Sequence, residues 1–195
     1  MSSPGLRERK KAKTRRTIQE HALRLFAEQG YEATTVDQIA EAAEISPSTF
    51  FRYFATKEDV VIEDDYDPLL IRAFIAQPAS LSPVAAFRRA IREAFADVYQ
   101  SDHEQILQRT KLQLQNPALR ARLMTTQLST TNAMTVAAAE RYGRDVNDLG
   151  VQTFAGAVIG ALVPALTRWV ASDGKASLPD LTDACLALLE DGLPL

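Results

Sequence analysis

The chain has 195 residues, 46% hydrophobic and 24% charged, enough apolar material for one or two packed domains and unlike a disordered chain. Its one cysteine, Cys185, excludes an internal disulfide framework, and the distant pair His21 and His103 gives neither a metal-ligand spacing nor support for a nucleophile triad. The net charge of −3 is uneven: Arg7, Arg9, Lys10, Lys11, Lys13, Arg15 and Arg16 stand against Glu8 alone, a local balance of +6, which leaves −9 on the other 179 residues. A basic segment on an acidic body suits a polyanion met at one end, although a solvated N-terminus has the same composition. Residues 1–11 are expected to form a flexible basic arm.

No apolar run with a small-residue cleavage site follows this charged start, so no secretory signal is expected. Leu149 to Thr167 is nineteen residues without a charge, about the length of a membrane span. Gly150, Gln152, Thr153, Gly156, Gly160, Pro164 and Thr167 dilute it, and a helix buried in a core or subunit interface is the preferred reading. The expected location is cytoplasmic, without a membrane partner.

Strand signals are nearly absent. Ile18, Ala22, Leu25 and Phe26 mark one face of a helix that Gly30 ends. Thr34 or Thr35 opens a second, with Thr35 and Gln38 at capping-box spacing and Val36, Ile39, Ala40 and Ala43 as its apolar stripe. Ser46-Pro47 places a capping hydroxyl before a proline at the first helical position, starting a short third helix through Phe54. Thr56 caps a fourth, with Asp59 at its third position. Two helices of about eight residues across a tight turn, with a supporting helix on either side, make a helix-turn-helix. Phe50 and Phe54 are expected to face inward, leaving Ser48, Thr49, Arg52 and Tyr53 toward a major groove, where hydroxyls and a phenol suit phosphates and an arginine suits guanine. A helical bundle whose polar face merely meets water has the same pattern but leaves the basic arm unexplained.

Residues 15–61, with Leu25-Phe26-Ala27-Glu28-Gln29-Gly30-Tyr31, Thr34-Thr35-Val36, Ile39-Ala40 and Phe50 through Val61, resemble the TetR-type DNA-binding domain. By that resemblance Thr35, Ser46, Ser48, Thr49, Phe51, Arg52, Tyr53 and Lys57 fall on positions that often meet DNA, and Arg15, Thr34 and Pro47 complete the expected set. Two departures stand out. Glu44 occupies the turn position usually held by glycine, and Phe51 stands where a tyrosine is common, which removes a hydroxyl. The run Phe-Phe-Arg-Tyr-Phe is similar to a subset of regulators of mycofactocin-system and acyl-CoA-responsive type.

Beyond Val61 the acidic stretch Glu63 to Asp67 lacks the glycine and terminal bidentate acid of a calcium loop. A helix around Glu58 to Asp67 is expected to link the DNA-binding domain, 12–72, to an effector-binding and dimerisation domain, 73–195. Ser82-Pro83 and Asn116-Pro117 start further helices, one long apolar helix spans about 148–171 with a kink at Pro164, and Leu181 to Leu189 mark the last. Gly156 and Gly160, with Ala157 and Ala161, allow close helix approach, either within the chain or across a dimer. The resemblance implies that the last two helices form a four-helix dimer interface, here with Gly156, Gly160, Trp169, Leu181 and Leu188. Phe74, Phe95, Tyr99, Met124, Gln127, Phe154 and Val158 are the expected lining of an effector pocket, with Arg88, Arg92, Arg109, Lys111 and Gln152 as further polar candidates.

The expectation is therefore an all-α, two-domain regulator, a homodimeric repressor released from a palindromic operator in double-stranded DNA by a small, largely apolar effector, without catalytic residues, metal or cofactor. The alternative is an α-helical enzyme built on carboxylates and arginines of the C-terminal domain, although no pair there has a productive spacing such as Glu-x-x-His.

Overall fold

In a computed structural model, which describes residues 5–63 and 66–194, the chain is all helical, with no strand among the described residues. Among the described residues the helices are α1 (Leu6–Gln29), α2 (Val36–Ala42), α3 (Pro47–Tyr53), α4 (Lys57–Ile62), α5 (Tyr66–Ile75), α6 (Pro83–Gln115), α7 (Pro117–Tyr142), α8 (Leu149–Gly160), α9 (Leu162–Ala171) and α10 (Leu178–Glu190). Local chemistry sets most of their starts. Thr35, Ser46, Thr56, Ser82, Asn116, Asp148 and Ser177 each accept a hydrogen bond from a backbone N–H in the first turn of the helix they precede. Thr35 with Gln38 and Thr56 with Asp59 close full capping boxes. Proline follows the cap in α3, α6 and α7, where its missing N–H has no partner to lose.

Two bodies share the apolar residues. Ile18, Ala22, Phe26, Ile39, Phe50, Phe54, Val60 and Val61 form the core of α1–α4, and Leu119 of α7 is buried in the same cluster. A second core joins α5, the first half of α6, the second half of α7, α8 and α10 through residues such as Leu70, Phe74, Phe87, Met134, Val158 and Leu186. A smaller cluster, Ile106, Leu107 and Trp169, ties α6 to α9, with Tyr66, Tyr99 and Leu181 against it. Leu70, expected within 12–72, packs with Phe74 in the second core.

Three further expectations are corrected. Residues 6–11 are not a flexible arm but the first turns of α1, which begins at Leu6. No single helix runs from Glu58 to Asp67: α4 ends at Ile62 with Glu63 as its extended cap, and α5 begins at Tyr66, with Asp64 and Asp65 outside the described residues. The apolar run at Leu149–Ala171, 23 residues of mean hydropathy 1.8, is helical as expected and bent, with α8 and α9 meeting at Ala161. Pro164, which cannot donate to the Gly160 carbonyl one turn back, accounts for the bend. Trp169 is fully buried within its own chain and therefore cannot form a subunit contact.

Candidate nucleic-acid interface

The turn between α2 and α3 brings a set of hydroxyls to one surface. Ser46 caps α3 by accepting from the Thr49 amide at 3.1 Å, and its Oγ lies 2.9 Å from Ser48 Oγ and 3.0 Å from Thr49 Oγ1. Pro47, Ser48, Phe51 and Arg52 are exposed beside it, with Thr49 and Tyr53 half-buried. Phe50 and Phe54, on the opposite side of the helix, are 0% and 1% exposed and hold α3 against the core. Thr35 is exposed at the start of α2. Its oxygen accepts from the Gln38 amide at 3.2 Å, and its hydroxyl proton remains available for an outside acceptor.

Glu44 adopts φ 54, so the turn does require the left-handed conformation that glycine adopts freely, and a side-chain-bearing residue takes it at a cost. Ile45 N–H to Ala40 O at 2.9 Å closes the end of α2 around it.

The basic first turns of α1 lie across from the end of α3. Leu6, Arg7, Lys10, Lys11 and Thr14 form one wall of a half-open cleft of about 900 Å³, and Arg52 and Tyr53 form the other. The guanidinium of Arg52 sits 5.6 Å from the Tyr53 ring centre. No acidic side chain is among the described residues that line this cleft, so its four cations face open space together.

Three residues expected at this surface are held elsewhere. Thr34 is 1% exposed; its hydroxyl donates to the Gly30 carbonyl at 2.8 Å and accepts from Gln29, fastening the α1–α2 loop. Lys57 donates to the carbonyls of Tyr31 and Thr34 at 2.9 and 3.1 Å, with its ammonium 4.2 Å from the Tyr31 ring centre. Arg15 lies over the Phe54 ring at 4.5 Å and donates to Glu63 at 2.9 Å, near the carbonyl end of α3 where positive charge is favourable. Each therefore builds the scaffold behind the surface. Tyr31 completes that scaffold: its phenol donates to Glu58 at 3.0 Å, and burial, followed by that carboxylate, pushes its pKa far above the usual value. Burial alone would raise Glu58, but hydrogen bonds from its own backbone amide, Tyr31 and Thr56 hold its carboxyl below the ordinary range.

The residues expected to line an effector pocket do not meet in one place. Phe74 stacks on Phe154 at 5.7 Å inside the second core, where Val158 is also buried. Phe95 reaches Tyr66 at the edge of that core, while Tyr99 packs with His103 and Trp169 in the third cluster. Met124 is 67% exposed on the surface of α7, with Gln127 half-buried three residues on. The arginines and carboxylates that gather in this half neutralise one another: Arg88 reaches Asp183 at 2.6 Å and Glu190 at 3.2 Å, and Arg92 reaches Asp183 at 3.0 Å. Lys111 pairs with Asp173, Gln152 bonds the Val146 carbonyl, and Arg109 lies over the Tyr66 ring at 5.0 Å.

A helix-turn-helix on its own core, carrying a basic cleft and joined to a larger helical body, is the architecture of a two-domain DNA-binding regulator. Residues 18–63 match the family model of bacterial regulatory proteins of the tetR family, and residues 81–194 match that of the MftR C-terminal domain. The chain belongs to the TetR family of transcriptional regulators. It is 43% identical over 105 residues to the HTH-type transcriptional regulator TcmR of Streptomyces glaucescens, a match covering 53% of this chain and 46% of that protein. It is 28% identical over 186 residues to a Mycobacterium tuberculosis protein, MftR, whose name assigns it to transcriptional regulation of mycofactocin biosynthesis; that match covers 95% of this chain and 93% of the relative. The chain thus spans under half of the first relative and nearly all of the second. Among solved structures, Thermus thermophilus FadR, a TetR-family repressor in complex with lauroyl-CoA, superposes with a TM-score of 0.55 at 25% identity, covering 93% of this chain and 95% of that one.

Proposed function

We propose that this regulator binds a near-palindromic operator as a homodimer in the cytoplasm and is released by a largely apolar effector of acyl-thioester type. The observation that carries the DNA-binding face is the surface on which Thr35, Ser46, Ser48, Thr49, Phe51, Arg52 and Tyr53 stand exposed or half-buried, with Pro47 at the turn, beside a cleft of cations that no anion among the described residues lines. Arg7, Lys10 and Lys11 serve as phosphate ligands, and the α3 residues as readers of phosphate and base edges. Support for the dimer comes from Gly156 and Gly160: a Cβ built at either meets nothing within 4 Å, so neither glycine is needed for packing inside the chain. Leu188, 47% exposed, extends the same expectation to α10, while Leu181 packs inside the chain. The acyl-thioester class rests on the lauroyl-CoA complex of the Thermus relative. The regulator names of the relatives favour this reading over an enzyme, and no observation favours the enzyme.

The test is enrichment of duplexes from a random DNA pool by the full-length protein, followed by binding titrations at several salt concentrations with and without lauroyl-CoA. A selected palindrome, a steep salt slope and weakened binding with the thioester are expected. Shortening the chain before Thr14 lowers affinity for all duplexes alike and flattens the salt slope, whereas Arg52→Ala lowers the operator-to-random ratio by about 1–3 kcal/mol if it meets a base. Equal affinity for selected and random DNA in the intact protein would refute the operator reading.

A further inference from the structure

On the outward strip of α3, Ser48 and Arg52 offer hydrogen-bonding groups, whereas Phe51 offers none and is still 54% exposed. Its ring meets that of Phe50 edge-on, centroids 5.5 Å apart at 85°, and Phe50 is fully buried. The exposed ring is thus backed by the core and stands one helical turn beyond Ser48, among the side chains that would enter a major groove. A phenyl ring there has no chemistry for a phosphate or for the donors and acceptors of a base edge. The one apolar group on the base edges of unmodified DNA in that groove is the thymine C5-methyl.

We infer that Phe51 is a specificity residue that reads a thymine methyl in each operator half-site. The inference rests on the operator reading above and on α3 being the groove-facing helix. Covering one methyl group is worth about a fourfold change in affinity per half-site, and about fifteenfold when both half-sites of a dimer lose it. The contact carries no charge, so its effect is independent of salt, unlike that of the basic cleft.

The experiment uses the full-length protein and the duplex enriched from a random pool, with each symmetry-related pair of thymines replaced in turn by deoxyuridine, which keeps every hydrogen-bonding group and removes only the methyl. One pair is expected to weaken binding by about tenfold or more. The Phe51→Ala protein is expected to bind the parent duplex more weakly and to lose the thymine-over-uracil preference at that pair alone. Phe51→Leu is expected to retain part of it, as an apolar side chain should. A selected duplex in which no thymine methyl matters, or a preference that persists unchanged in Phe51→Ala, overturns the inference while leaving the operator reading intact. Failure to enrich any duplex overturns both.

Discussion

At Glu44 a single backbone angle decides a local energy. A residue with a Cβ at φ 54 bears a steric cost of about 1–2 kcal/mol that glycine escapes, while glycine gives back about 0.4–1 kcal/mol through the freer unfolded chain. Glu44→Gly is therefore expected to stabilise the protein by about 0.5–1 kcal/mol and to raise the thermal midpoint without altering the recognition surface. A fall in the midpoint would mean that the Glu44 side chain makes a contribution larger than its strain. Neighbouring hydroxyls separate in the same way. Thr34→Val removes a buried donor to the Gly30 carbonyl and should cost about 1 kcal/mol of stability, whereas Thr35 sits at an exposed cap. The sequence does not distinguish these two threonines, because both precede the same helix. What separates them is the path of the chain from Gly30 back over α1, a long-range fact. Glu44 in its turn and the inward pair Phe50 and Phe54 were legible because their causes lie within a few residues.

The same division runs through the elements. The caps at Thr35, Ser46, Thr56, Ser82 and Asn116 could be placed from sequence, since a cap joins a side chain to backbone three residues away. The first turns of α1 could not, because their charges fit a solvated arm as well as a helix. Nor could the burial of Trp169, which depends on α9 meeting the far half of α6. Between α8 and α9 the bend that Pro164 leads one to expect falls within one turn of it, at Ala161. The glycines of α8 allow a sharp test of what covers them. Gly156→Leu and Gly160→Leu place side chains in space that is open within the chain, so the monomer should fold with an unchanged helical circular-dichroism spectrum. A dimer that uses this face should dissociate at concentrations where the parent protein is paired, as sedimentation would report. Unaltered association in both variants would place the dimer contact elsewhere.

Across the C-terminal half, α10 is fastened to α6 by Asp183, whose carboxyl is held below its ordinary value of 3.8, first by the hydrogen bond from Arg88 and further by the charge of Arg92. A carboxyl with a depressed folded pKa contributes stability above its unfolded value and loses that contribution as pH falls through the folded one. Unfolding midpoints are therefore expected to hold near neutrality and to decline below about pH 4, and Asp183→Asn should shallow the decline. An identical acid profile in the variant would assign the acid sensitivity to other carboxyls.

Specific contacts join the two bodies. Leu119 of α7 is buried in the first core, Gln113 of α6 donates to the Val61 carbonyl at 2.8 Å, and Arg122 of α7 donates to the 5% exposed Asp59 of α4 at 2.6 Å. A fourth contact joins α1 to the place where α6 leaves helical geometry. At Asp102, φ −122 and ψ 15, the carboxylate accepts from Arg16 at 2.6 Å, and the next residue, His103, packs against Tyr99 and Trp169. Exposed ion pairs usually contribute little, but Asp59 is buried, and Arg122→Ala would leave its carboxylate without that partner. Trp169 is the chain's one tryptophan and lies wholly in the C-terminal half, so its fluorescence follows that body, while circular dichroism follows all helices. In the parent protein the two signals should melt together, as they do when domains unfold as one unit. In Arg16→Ala combined with Arg122→Ala, helix loss from α1–α4 should begin at a lower temperature than the fluorescence change, separating the curves. Curves that still coincide in the double variant would show that the remaining contacts, Leu119, Gln113 and the Asn116–Glu32 hydrogen bond among them, suffice to couple the bodies.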